Sequence, residues 1–307
     1  MGRYVARRLL QTVPVFFGAT FLVFAMVFAI PGDPIQALAG ERPISAATLE
    51  VLRDRYNLND PLLVQYGKYI AGVFTGDLGQ SFTGRQVADI LAQRFPVTLR
   101  LALTAFVIEI VLGLTAGILA GLRRGSFVDN LVLVSTTAVV SIPVFVLGYV
   151  AQLVIGLELG WLPISGIRAG WQSYLLPGFV LAATSLAYAA RLLRTSLVEN
   201  LRADYVRTAT SKGLRRSRVV GRHALRNSLI PVITFLGADL GVMMGGAIIT
   251  EGIFNIPGIG GEIFRAVSQQ EGPVVVGIVT ALVVIFILSN LIVDVLYGVL
   301  DPRIRYE

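Results

Sequence analysis

Few residues in this chain are equipped for covalent chemistry, and their neighbours narrow the choice further. There is no cysteine, which excludes a disulfide, a thiolate nucleophile or a thiolate metal site. A single histidine, His223, sits beside Arg222 and Arg226 and suits docking or capping better than pH sensing. One histidine cannot build a multi-histidine cluster, and the serines and carboxylates show no nucleophile–base–orienter spacing. Lysine occurs at only two positions, Lys68 and Lys212. A phosphate-cradling loop needs Gly-Lys-Ser/Thr after a glycine-rich turn. Lys68 precedes Tyr69 and Lys212 precedes Gly213, so neither fits and any nucleotide must be bound elsewhere. What remains is a pair of acids in apolar surroundings, Glu109 and Asp239. An ionisable group inside a bilayer costs roughly 2.5–3.5 kcal/mol on insertion scales, so each should face water or a partner. Asp239 is the stronger candidate for lining a pathway, with structural pairing or an interfacial position as alternatives; Glu109 has a weaker claim.

The elements that carry these residues are set by composition. Hydrophobic residues make up 55% of 307 and charged residues only 15%, with a mean hydropathy of +0.73. A soluble domain carries roughly 25% charged residues to keep its surface wet. This chain lacks that surface and must meet lipid. A bilayer core needs about 20 apolar residues as helix, and six segments qualify: 9–30, 98–122, 131–159 (broken by Pro143), 173–190, 229–250 and 273–300. Pro14, Pro143 and Pro177 read as packing features, since proline is common in membrane helices. The first segment follows Arg3, Arg7 and Arg8 but is longer than a secretory h-region. It ends in Ile30-Pro31-Gly32-Asp33 with no small-x-small cleavage site, so it reads as a retained helix.

Charge fixes the expected orientation. Residues 191–228 hold ten Lys/Arg against Glu199 and Asp204, and Arg123 and Arg124 follow the second span on the same side. The 161–172 loop has only Arg168, and 251–272 has Arg265 against three glutamates. By the positive-inside rule both termini are cytoplasmic. The net charge of +7 is therefore topological and does not point to nucleic acid. Residues 31–97 are left outside. Ser45 is placed to cap a helix at 46–52, Asn57 to Pro61 breaks it, 62–73 and 87–94 read as short helices, and 76–81 is a turn. The organisation is thus 1–30, a cytoplasmic start and first span; 31–97, an extracytoplasmic region; 98–300, a membrane core with a cytoplasmic loop at 191–228; and 301–307, a cytoplasmic tail.

That loop is patterned. Asp204 to Lys212 makes a short helix, Gly213 can adopt positive φ and end it, Leu214 is a lone apolar residue at the turn, and Ser217 can cap a second helix. A helix–Gly–helix hairpin on the cytoplasmic side must be solvated or dock into a partner.

Here the chain resembles the B-type permease subunits of dipeptide and oligopeptide ABC importers, and the hairpin looks like their EAA loop. The E-A-A-x-x-x-G core falls on Arg207-Thr208-Ala209 and Gly213, with Arg207 at the usually acidic position. The I-x-L-P end reads His223-Ala224-Leu225-Arg226, followed by Asn227. The resemblance spans the whole chain: GDLGQSF (76–82), RFPVTLRLA (94–102), SIPVFVLG (141–148), LGWLPISG (159–166), EGIFNIPGIGG (251–261) and LDPRIRY (300–306). One departure is Gln270-Glu271-Gly272-Pro273 where the family has Arg-Asp-x-Pro before the last helix. The resemblance implies an all-α membrane protein of the type I ABC importer permease fold with an external loop domain after helix 1. It also implies an assembly with a second permease subunit, two ATPase subunits that hold ATP and Mg, and an extracytoplasmic peptide-binding protein. It makes Asp204, Tyr205, Arg207, Thr208, Ala209, Lys212, Gly213, Leu214, His223, Arg226 and Asn227 the ATPase-coupling loop.

Within the core, Gly237, Gly241 and Gly245 recur every four residues, a small-xxx-small stripe that lets another helix approach closely. Asp239, Met243 and Met244 share that helix and complete a candidate pore or gate, with core packing the alternative for the methionines. The reading is a non-enzymatic subunit in the cell membrane that provides half of a peptide translocation pore. Its rivals are a permease for a related solute such as a nickel chelate or glutathione, and a secondary transporter. The latter would need inverted repeats that the sequence does not show. The ten-to-two charge ratio of residues 191–228 yields a direct expectation. Cysteines introduced singly at Asp60 and Gly258 should label from outside intact cells and one at Arg215 should not. External labelling at Arg215 would invert the map.

Overall fold

A computed structural model describes residues 2–29 and 46–300. Ser45, most of the 300–306 motif, Ile30 to Asp33 and both terminal residues lie outside the described residues. Within them the chain is helical, with no strand and one isolated bridge between Gln80 and Gln86. Five helices are long and apolar enough to cross a membrane, or six when a bent pair is taken as one span. The chain divides into two compact units, residues 1–98 with 257–307, and residues 99–256.

The first unit begins with α1 (Gly2–Phe28), which carries Pro14 inside it. α2 (Ala46–Arg55) ends before Asn57, whose φ of 55° reverses the chain. α3 (Leu62–Phe74) lies along α1 through an aromatic seam. Phe16 and Phe17 meet Phe74, Phe24 meets Tyr66 and Tyr69, and the Thr20 hydroxyl bonds Tyr66 Oη at 2.9 Å. Gly76 and Gly79 take positive φ in the turn that follows, as the 76–81 pattern predicts. The chain returns to this unit with two helices. α10 (Ile259–Ser268) falls where the sequence indicated only a loop, and α11 (Gly272–Leu300) packs on α1. Tyr69 Oη donates to Thr280 Oγ1 of α11 at 2.8 Å. Buried Glu262 of α10 draws in three guanidinium groups, from Arg265 at 2.5 Å, Arg94 at 3.4 Å and Arg85 at 3.5 Å. The departure before the last helix also has a local form. Gln270 takes φ 55°, and Glu271 is buried; that burial pushes its carboxyl above the ordinary carboxylate range, against the pull of Arg85.

Residues 87–94 are not a separate short helix. They open α4 (Val87–Leu122), a continuous helix in which Pro96 is tolerated and Glu109–Gly113 forms a π-turn. The expected boundary near Thr98 fails because proline weakens a helix only locally and the flanking residues are buried along one face. The third span is broken as the sequence indicated, and sharply so. α5 (Phe127–Ser141) and α6 (Val144–Glu158) meet at 107° around Ile142 and Pro143, so Pro143 marks a bend rather than a packing feature alone. α7 (Leu175–Asn200) runs ten residues past the expected end at Ala190, so Arg191 and Arg194 belong to a helix rather than to the loop. Then come α8 (Asp204–Ser211) and α9, residues 216–253, with a π-turn at Val219–Leu225 and Pro231 inside it.

The second unit is built on α7. Gly113, Gly117 and Gly121 of α4 lie against it, a small-residue stripe that the sequence reading did not single out. A Cβ on Gly117 would come within 2.8 Å of the Ala190 carbonyl oxygen and Leu193 Cβ. The stripe that was singled out is not one uniform seam. Gly241 is buried, Gly237 half-buried, and Gly245 exposed with nothing within 4 Å of a Cβ. Val232 and Leu236 of α9 close the core against Ala189 and Leu193. At the far end of α9, Gln152 Nε2 donates to the carbonyls of Ile164 (2.8 Å) and Ile253 (3.0 Å).

Gly117→Leu should therefore force backbone apart and lower stability by about 1–3 kcal/mol or more, as overpacking does. Gly245→Leu should leave the isolated chain unchanged. Thermal unfolding of both variants in detergent distinguishes them; equal midpoints would mean that the α4–α7 seam is not close-packed.

Candidate functional site

The hairpin at 204–226 begins with a helix too short to be stable by itself. α8 spans eight residues, and Val206 and Ala209, spaced three apart, are its buried ones. They join Leu197 of α7 and Val219 and Ala224 of α9 in one apolar cluster, flanked by Leu122, Leu201 and Leu214. Tyr205 adds a polar tether, its hydroxyl donating to Asn200 Oδ1 at the end of α7, while Asn200 Nδ2 donates to the Ser196 carbonyl at 2.8 Å. Asp204 in the first turn complements the helix dipole. Its contact with Arg207 at 3.0 Å is fully in solvent and adds little.

The turn has the form that the glycine foretold. Gly213 takes φ 76°. Its N–H donates to the Thr210 carbonyl at 2.9 Å, and the Leu214 N–H reaches back to Ala209 at 3.4 Å. These two bonds and the apolar contact of Leu214 with the Ala209 cluster make a Schellman cap. The second helix departs from expectation at its start. Arg215, with φ −56° and ψ 139°, occupies the cap position, and Ser217 is already inside the helix at 216–218. A polyproline-like backbone at Arg215 starts the helix without a side-chain cap. His223 is half-buried in the π-turn, and Arg226 and Asn227 are exposed beyond it.

With Val206 and Ala209 turned inward, Asp204, Tyr205, Arg207, Thr208, Ser211 and Lys212 are left exposed, followed by exposed Arg215, Arg216 and Arg218. The exposed surface is polar and strongly basic, carried on a helix that is anchored on its other side.

The second candidate group lies in the same unit. Asp239 and Glu109 are both buried and face one another, and Ser185 hydrogen-bonds Asp239. The two carboxyls lie within hydrogen-bonding reach of each other, and among the described residues no ion pair to either acid is seen. The sequence indicated the two acids separately; nothing in their spacing could bring them together. Glu109 also sits on a π-turn, a helix defect often found at functional positions. Met243 is packed against Ala105 and Ala182, and Met244 is also buried.

Known proteins resemble the chain over its full length. Residues 113–306 match the profile of the binding-protein-dependent transport system inner membrane component, and residues 1–102 match that of the N-terminal part of such membrane components. The chain is 40% identical over 308 residues to the glutathione transport system permease protein GsiC of Escherichia coli K12, covering all of both chains. It is 38% identical over 335 residues, again covering all of both, to the di/tripeptide transport system permease protein DppB of Pseudomonas aeruginosa UCBPP-PA14. With its five to six spanning helices, this multi-pass inner-membrane chain belongs to the family of binding-protein-dependent transport system inner membrane components.

Proposed function

We propose that this chain is one of two permease subunits of an ATP-binding-cassette importer and supplies half of a pore for small peptides. The observation that carries this reading is the hairpin: an amphipathic helix ended by Gly213, buried by Val206 and Ala209, with a basic face left bare. A membrane bundle has no internal use for such a face. A partner groove does.

In this reading two ATPase subunits, which hold ATP and Mg, receive Tyr205, Arg207, Thr208 and Lys212. A second permease, a different chain, completes the pore, and an extracytoplasmic binding protein delivers the peptide. Both termini lie in the cytoplasm, in keeping with the charge of residues 191–228. The proposed substrate class is peptides of two or three residues. Glutathione is itself a tripeptide with one γ-linkage, so the names of the two relatives point to one chemistry rather than to two. Asp239 with Glu109 is the proposed polar element of the pathway half, and Gly237 and Gly241 the helix face that moves.

Purification of the tagged chain from its native membrane should bring down an ATPase, a second permease and a binding protein. Labelled dipeptide uptake by the reconstituted complex should require ATP and be reduced by unlabelled di- and tripeptides, glutathione among them. Uptake by this chain alone, driven by an ion gradient, would establish a secondary transporter instead.

Gly213→Val tests the hairpin. A β-branched residue is strongly disfavoured at positive φ, so the cap opens and α8 loses the register that buries Val206 and Ala209. Insertion into the membrane should be unchanged while peptide uptake falls and its link to ATP hydrolysis is lost. Normal uptake with normal stimulation by loaded binding protein would remove Gly213 from its role.

A further inference from the structure

One ion pair of the second unit ties α5 to α7, the helix whose end anchors the hairpin. Arg194 of α7 donates from Nε and Nη2 to Oδ1 and Oδ2 of Asp129 at 2.9 and 2.8 Å, the parallel geometry that suits guanidinium and carboxylate. The Gly125 N–H also donates to Asp129 Oδ2, at 2.8 Å. Gly125 takes φ 76° in the turn that ends α4, and Ser126 caps α5 by accepting from the Asp129 N–H at 3.4 Å. One carboxylate in the first turn of α5 therefore binds both α7 and the turn after α4. Its side chain is 2% exposed and that of Arg194 20%, so water cannot easily replace either partner.

The position of the pair matters as much as its geometry. Three residues after Arg194 comes Leu197, which packs on Val206 and Ala209 of the hairpin. Leu122, just before the turn, packs on the same cluster. Beyond the 107° bend, α6 is held elsewhere: Gly148 lies against Ile253 and Val180, at the end of α9 and the opposite end of α7. The two halves of the broken span are thus fastened to opposite ends of α7.

We propose that Asp129 and Arg194 are positioning residues that make α5 follow the hairpin, so that movement of α8 is delivered to the bend at Ile142 and Pro143. This rests on the importer reading given above. An apolar contact would let α5 slide against α7; two parallel charged bonds to a buried carboxylate fix both distance and angle. Loss of Arg194 leaves the Asp129 carboxylate buried without its cation, which is strongly unfavourable.

The absence of native cysteine allows spin labels to be placed in the assembled complex. Val134 on α5 and Tyr149 on α6, 68% and 59% exposed, flank the bend, and a second pair at Lys212 and Phe127 reports on the hairpin. In the wild-type complex both distances should change between the nucleotide-free and ATP-trapped states. In Asp129→Asn the change across the bend should be lost while ATP hydrolysis continues, and peptide taken up per ATP should fall by about fivefold or more, the range of coupling free energies between sites. Arg194→Lys, which keeps the charge but not the two parallel bonds, should be intermediate. Asp129→Arg with Arg194→Asp should restore part of the coupling. An unaltered distance change across the bend in Asp129→Asn overturns the proposal, as does a wild-type complex in which the hairpin moves and the bend does not. Should Asp129→Asn fail to assemble, Arg194→Lys with uptake per ATP equal to wild type overturns it as well. A wild-type chain with no ATPase partner and no nucleotide-dependent change at the hairpin refutes the importer reading itself, and this proposal with it.

Discussion

The close approach of α4 and α7 governs the second unit. Lipid offers no hydrophobic drive for two apolar helices to meet, so association depends on packing and on small residues that let backbones come together. Gly113, Gly117 and Gly121 supply that surface on α4, and Ala189, Ala190, Leu193 and Leu197 fill it from α7. The seam continues to the C-terminal end of α7, where Leu197 becomes the first member of the cluster that anchors the hairpin. Packing within the membrane and order outside it are therefore one continuous contact.

Polar groups inside this unit fall into two kinds. Asp129 and Arg194 satisfy each other, with the Gly125 N–H completing the carboxylate. Such a site resists change because separating the pair leaves the buried Asp129 carboxylate without its cation. Glu109 and Asp239 are the reverse, two acids buried together with only each other and Ser185 as hydrogen-bonding neighbours. The π-turn at Glu109 is a local helix irregularity at the same place. The stiff pair lies where the chain leaves the apolar core towards the hairpin, and the acid pair lies within it.

Most of the architecture was legible because it follows from solvation. Six apolar runs stand out once charge is sparse, and the Pro143 break and the Gly213 turn announce themselves through residues with restricted or permissive backbones. Helix ends were harder to place. Residues 191–200 continue α7 although they carry Arg191, Arg194 and Glu199, because helix propensity does not stop where hydrophobicity does. α10 was missed for a related reason: its glycine-rich start hid the spacing of Ile259, Glu262, Ile263 and Ala266 along its buried face. The pairings of Asp129 with Arg194 and of Glu109 with Asp239 were out of reach, since local spacing carries no information on contacts made between distant helices. The glycine stripe of α4 was visible in principle at 113, 117 and 121, and was overlooked beside the one in α9.

The size of α8 bears on how force could pass through the chain. Eight residues with two buried side chains bury too little apolar surface to hold a helix against its conformational entropy. Its order is borrowed from Leu197, Val219 and Ala224, and through Leu197 from the glycine seam above it. A lever built this way cannot bend independently of its mount: displacing α8 must either tear its small apolar cluster or carry the end of α7 along. The cluster contains a single large aliphatic side chain from α7, so the contact is modest. Asp129 and Arg194 lie just beyond it and resist shear where apolar packing does not. The hairpin is thus held by burial, which is adaptable, and backed by a charged clamp, which is not. That ordering is in keeping with the role proposed for the hairpin, fitting a partner's groove while transmitting its movement.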